Sequence, residues 1–292
     1  MDQLLIYIIL GIFGLMFGSF AGASVWRLRA YQLRSDKQAG EPVDKTEYKH
    51  LLPLTKATVT TDRSRCLHCN HVLAWYDLIP LVSWLSLGGK CRYCRTKIGW
   101  FEPLIELGLA AFFIVSYWLW PVPLDSVWLV VQFCVWLVAG VLLAILFAYD
   151  LKWYLLPNLI VFPLIGLGAV YAVLGLASSG FSVGALMSLG GAIALLSGLY
   201  YVLWLVSKGQ WIGFGDVKLG LALALFAVDW QIAFIALFAA NAIGCLLVIP
   251  GMVMGKIRRT TRIPFGPLLI VGTVLAIIWG PSLIHAYFSF AF

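Results

Sequence analysis

The chain has 292 residues, of which 62% are hydrophobic and only 11% charged, with a formal net charge of +7. Roughly a quarter of an ordinary soluble domain is charged, so a water-soluble fold is excluded: too few charges are available to wet its surface. The apolar residues instead fall into runs of about 20, the length that spans a bilayer as a helix.

In chain order, the runs predict eight transmembrane helices, over about 4–26, 103–121, 127–149, 158–177, 183–206, 217–229, 231–250 and 267–288. The sixth is short and reaches only part-way or merges with the seventh. The fold class is therefore all-α and polytopic, with a first helix at 1–26, a cytoplasmic segment at 27–102 and a membrane domain at 103–292. Asp2 precedes the first run and two arginines follow it, the wrong arrangement for a cleavable signal peptide. Gly14, Gly18 and Gly22 share one face of that helix and predict close packing against another.

Basic residues set the orientation. Thirteen of the 20 Lys and Arg lie between Arg27 and Lys97, and the others are Lys152, Lys208, Lys218, Lys256, Arg258, Arg259 and Arg262. With 27–102 inside, all of them fall at inside segments, which puts both termini outside. Asp36, Glu41, Asp44, Glu47, Asp62 and Asp77 offset part of the charge, leaving +7 over residues 27–97. Topology and anionic lipid account for that balance, so no nucleic-acid partner is expected.

The segment between the first two spans starts with a polar stretch, 30–62, that shows no sustained period. Beyond it, Cys66-Leu67-His68-Cys69 and Cys91-Arg92-Tyr93-Cys94 form two CxxC knuckles separated by 21 residues. Four thiolates in two tight turns complete a closed tetrahedral site for zinc, structural because no coordination position stays open. A disulfide is disfavoured in a reducing compartment, and a redox dithiol would need one knuckle only. His68 and His71 are spare ligands. Cys134 and Cys245 lie within spans and read as small buried hydrophobes.

Two aspartates stand at span edges. Asp150 closes the third span and Asp216 follows Gly213-Phe214-Gly215 at the start of the sixth. An ionisable group at a membrane span is a functional-site hypothesis, and two carboxylates brought together can act as acid and base on one water. The competing reading makes each an unrelated helix-end residue, which suits Asp216 better than Asp150. Both readings stay open on spacing alone. Gly213 and Gly215 would let the backbone approach a partner closely. Lys218 would either tune the pair or anchor its helix at the interface. Pro157-Asn158 and Ile263-Pro264-Phe265-Gly266-Pro267 mark helix boundaries.

Taken together the motifs resemble the type IV prepilin peptidase family, integral-membrane GxGD aspartic proteases. The resemblance runs nearly end to end, through Gly18-Ser19-Phe20, Val25-Trp26-Arg27-Leu28, the two knuckles, and Trp75 to Leu85. It continues through Glu102-Pro103-Leu104-Ile105-Glu106-Leu107, Asp150 with Leu156-Pro157-Asn158, Gly213 to Leu219, and Ile263 to Pro267. It implies an aspartic endopeptidase of the bacterial cytoplasmic membrane with Asp150 and Asp216 as its catalytic pair, acting at the cytoplasmic face. Its substrates would be prepilins or pseudopilins of type IV pili or type II secretion, cut between a short basic leader and an apolar helix. Many members also N-methylate the new terminus with S-adenosylmethionine, and the cysteine segment is associated with those. Ala21-Gly22-Ala23 and Asn158 depart from the family pattern without touching the pair. Glu106 is a candidate for the methylation site, with a structural role as the alternative. The other readings are a presenilin-like or signal-peptide-peptidase-like protease, a proton-coupled carrier and a non-enzymatic assembly factor. Oligomeric state is not expressed in the sequence.

Overall fold

The computed structural model describes residues 3–55, 63–178, 180–256 and 263–291. Asp2, Lys56, Asp62, Arg258, Arg259 and Arg262, which enter the charge reading, lie outside the described residues. The protein is helical, and the described residues include no β-strand longer than an isolated bridge. Among the described residues, seven helices are long and apolar enough to cross a membrane. The chain divides into two compact units, Met1–Ile114 and Val115–Phe292.

In the first unit, α1 (Gln3–Gln38) is 36 residues long, about 54 Å at 1.5 Å per residue. That is well beyond the roughly 30 Å of a hydrocarbon core. Hydropathy marks where the first span ends, near residue 26, but the helix itself runs on for three more turns. After the turn at 39–44, α2 (Lys45–Leu51) opens on Asp44, which accepts the N–H groups of Thr46 and Glu47 at 2.7 and 3.1 Å. A small cluster of Ala30, Leu33 and Leu51, flanked by Tyr48 and Leu54, joins α2 to α1. Arg29 donates to both oxygens of Glu47, at 2.9 and 2.5 Å. The stretch read as polar and aperiodic is thus partly an ordered helical hairpin. Its apolar residues are too sparse to print a period, and an ion pair supplies part of the contact.

The four-spaced glycines of α1 face α4 (Phe101–Trp118). A Cβ on Gly14 would collide with the backbone of Leu109 and Ala110, and one on Gly18 with the backbone of Glu106. These are the close backbone approaches small residues permit. The short helix α3 (Val82–Ser86) follows a 3₁₀ turn at Trp75–Leu78 in the cysteine segment.

The second unit contains α5 (Val127–Trp153), α6 (Asn158–Ser178), α7 (Val183–Ile193), α8 (Leu199–Ser207), α9 (Phe214–Ala227), α10 (Trp230–Val253) and α11 (Phe265–Ala291). A π-helical turn, Ala194–Gly198, joins α7 and α8 into one membrane-length rod. The predicted sixth span is α9. Its 14 residues reach about 21 Å, so it stays a separate short helix enclosed by its neighbours. Val217, Leu219, Gly220, Ala222, Leu223, Ala224 and Phe226 are all buried. Close packing is set by glycine here as well: a Cβ on Gly168 of α6 would press on Leu225, and one on Gly220 would overlap the Leu196 carbonyl in the π turn. Asp229, beyond α9, caps α10 through the Gln231 N–H at 2.7 Å and accepts the Ser188 hydroxyl at 2.8 Å.

Candidate active site and metal centre

Asp150 lies on the last turn of α5 and is 5% exposed. The helix stops just after it because Tyr154 takes a left-handed conformation (φ 56°) and returns its N–H to the Asp150 carbonyl at 2.9 Å. Leu155, Leu156 and Pro157 then lead into α6. Asp216 is the third residue of α9, whose first turn follows the extended Gly213. The two carboxyl groups lie within electrostatic reach of one another. The tertiary fold therefore brings together two aspartates 66 positions apart.

Each sits near the start of a helix. Asp216 is in the first turn of α9, and the N–H of Gly266, second residue of α11, donates to Asp150 Oδ2 at 3.1 Å. First-turn N–H groups have no partner inside their own helix and carry partial positive charge. The Gly266 N–H is a donor of this kind to Asp150. Space is tightest at Gly266 and narrow at Gly215. A Cβ on Gly266 would lie 2.7 Å from Asp150 Oδ2, and one on Gly215 would meet Leu156 at 3.2 Å. At Gly213 a Cβ would make an ordinary 3.6 Å contact with Asp216 Oδ2. Lys218 turns to α6, where its ammonium donates to Asn158 Oδ1 and lies over the rings of Phe162 and Phe214.

Gly266 is the contact that sequence reasoning passed over. The Ile263–Pro267 motif is visible in the chain as a boundary, but its amide on Asp150, 116 residues away, is a property of the fold.

The four cysteines form a second site, in the first unit. Their sulfur atoms all lie within 4.8 Å of one another, and Cys66 Sγ and Cys94 Sγ are 3.9 Å apart. Zinc–thiolate bonds of about 2.3 Å in a tetrahedron place sulfurs about 3.8 Å apart, so the donor set and its size fit zinc. The knuckles repeat one backbone design. Cys66 N–H donates to His71 O at 3.0 Å and Cys91 N–H to Thr96 O at 2.9 Å. Bridges pair Arg65 with Val72 and Lys90 with Lys97. Asn70 and Arg95, each just after the second cysteine, are both left-handed. Hydrogen bonding to Thr96 holds the Cys94 thiol down to about 6, in the thiolate range, while burial pushes Cys91 up. His71 lies against Tyr93, with ring centroids 3.6 Å apart and planes tilted by 31°, rather than joining the cluster.

Asp77 braces the second knuckle. It accepts from Arg92 Nε at 2.7 Å, from the Tyr93 hydroxyl at 3.0 Å and from the Ala74 N–H at 3.2 Å. Burial pushes its carboxyl up, but these three donors outweigh burial and hold it below the usual range. Glu106, 7% exposed, accepts the Leu81 N–H at 2.8 Å. Glu102 accepts Trp26 Nε1 at 3.1 Å. Both glutamates of α4 thus have structural partners.

The profile of the bacterial peptidase A24 N-terminal domain matches residues 12–120, and that of the type IV leader peptidase family matches residues 136–249. A prepilin leader peptidase/N-methyltransferase of Aeromonas hydrophila is 32% identical over 95% of this chain and 92% of its own length. The chain belongs to the type IV leader peptidase family. Relatives with the same name from Pseudomonas aeruginosa and Stutzerimonas stutzeri are 31% and 30% identical, each over 96% of this chain. They cover 92% and 93% of their own lengths. No solved structure is a significant match. Membership makes this leader peptidase an enzyme and, with its apolar helices, a multi-pass inner-membrane protein.

Proposed function

We propose that this leader peptidase removes the basic leader of prepilins or pseudopilins at the cytoplasmic membrane face, with Asp150 and Asp216 as its catalytic pair. The observation that carries the reading is the juxtaposition, within electrostatic reach, of a buried Asp150 that accepts the Gly266 N–H at the start of α11 and an Asp216 in the first turn of α9. A water between them supplies the nucleophile. One carboxylate takes a proton from that water as its oxygen attacks the scissile carbonyl carbon. The other, protonated, donates to the carbonyl oxygen. Collapse of the tetrahedral intermediate breaks the C–N bond, and the leaving amine takes up a proton. The apolar helix of the substrate stays in lipid while its leader remains in water.

N-methylation of the new amine is the second activity supported by the names of the relatives. S-adenosylmethionine would supply the methyl group. Zinc, held by Cys66, Cys69, Cys91 and Cys94, would brace the cysteine segment and take no part in either reaction. The same reading places 27–102 inside and both termini outside, and divides the chain at 26 and 102.

Mass spectrometry of a prepilin co-expressed with the enzyme tests this. Wild type should remove the leader and add one methyl group, while Asp150→Asn and Asp216→Asn, though inserted normally, should leave the prepilin uncut. Normal cleavage by either variant would overturn the dyad. Cleavage without the added methyl would restrict the enzyme to proteolysis.

A further inference from the structure

Tyr200, the second residue of α8, is 3% exposed, and its hydroxyl is buried with no hydrogen-bond partner among the described residues. A buried phenol ordinarily finds a partner. Its location suggests which partner this one serves. The hydroxyl lies within electrostatic reach of Asp216. The ring packs on Phe265 with centroids 5.3 Å apart, and Phe265 precedes Gly266, the donor to Asp150. Tyr200 is thus next to the supports of both carboxylates.

The backbone holds it there by a specific device. The π turn before α8 sits directly on Gly220 of α9, and Ser197 in that turn donates to the Val217 carbonyl at 3.0 Å, one residue beyond Asp216. A π turn shifts the register of the residues after it, and such turns are frequent at functional sites. The register of α8 is therefore locked to α9 at the level of Asp216.

We propose that Tyr200 is a positioning residue of the peptidase site, its hydroxyl donating a hydrogen bond to the water held at Asp216 and orienting it for attack. The proposal rests on the catalytic reading of Asp216. A phenol suits the task because it stays protonated across the working pH range and adds no charge to a site that already holds two carboxyl groups.

The test is steady-state kinetics of full-length Tyr200→Phe on a prepilin in detergent, with melting temperature measured alongside and Asp216→Asn in the same assay. Phenylalanine keeps the ring against Phe265 and removes the hydroxyl alone. The expected result is a kcat lower by about tenfold or more, the scale of losing a positioned group, with KM and melting temperature unchanged. Wild-type kcat, a matching rise in KM, or a drop in melting temperature that accompanies lost activity would each overturn the role. An inactive Asp216→Asn beside a fully active Tyr200→Phe would sink this proposal alone, whereas an active Asp216→Asn would sink the dyad beneath it.

Discussion

The backbone N–H of Gly266 donates to Asp150 Oδ2 at 3.1 Å, and a Cβ on Gly266 would stand 2.7 Å from that same oxygen. A helix start thus holds a carboxyl group that lies at the end of another helix, with no room for a side chain between them. Gly266→Ala should displace Asp150 and lower prepilin cleavage by about 100-fold, the scale of an ångström-sized misplacement. Cleavage rates on protein matched for membrane insertion check it; a rate near wild type would show that the contact is not needed.

Gly220 sets the approach of α9 to the π turn, where a Cβ would overlap the Leu196 carbonyl. Gly220→Ala should destabilise the protein by about 1–3 kcal/mol, the usual range for overpacking. Gly190→Ala is the control, because nothing lies within 4 Å of a Cβ there. Thermal melts in detergent should separate the two variants.

Asp77 ties the second knuckle to the 3₁₀ turn ahead of α3 through Arg92, Tyr93 and the Ala74 N–H. A carboxyl held below its ordinary value of 3.8 contributes stability that is present above 3.8 and lost as pH falls through the folded value. At neutral pH the contribution is complete. Asp77→Ala should therefore raise the rate of limited proteolysis within 63–100 several-fold at pH 7, and an unchanged digestion pattern would rule out the bracing role.

Metal analysis of the purified enzyme should find one zinc per chain, and Cys91→Ser should lose most of it, because Cys91 is the buried member of the four. Stripping the metal with a chelator should expose 63–100 to protease while leaving the helices of the second unit intact by circular dichroism. A metal-free protein with the same protease resistance would mean that the thiols alone hold the segment.

Much of this protein is legible in its sequence because a bilayer is a demanding solvent. Each spanning helix must be apolar for its whole length, so α4, α5, α6, the α7–α8 rod, α10 and α11 announce themselves as runs and their edges fall within a few residues of prediction. Cysteine spacing makes the metal site visible for a similar reason, since each knuckle is a local turn. The family, too, follows from motifs in order along the chain. Tertiary structure alone decided how distant segments meet. The length of α1 beyond residue 26 and the α2 hairpin depend on a few scattered contacts, such as Arg29 with Glu47, that leave no period. The approach of Asp150 and Asp216 within electrostatic reach, the Gly266 amide on the first and the packing of Tyr200 on Phe265 join residues from four helices. Sequence determines which helices form because hydropathy and turn residues act locally. Only packing selects which helix ends converge, because that choice depends on glycines whose missing side chains matter only once a neighbouring backbone is in place.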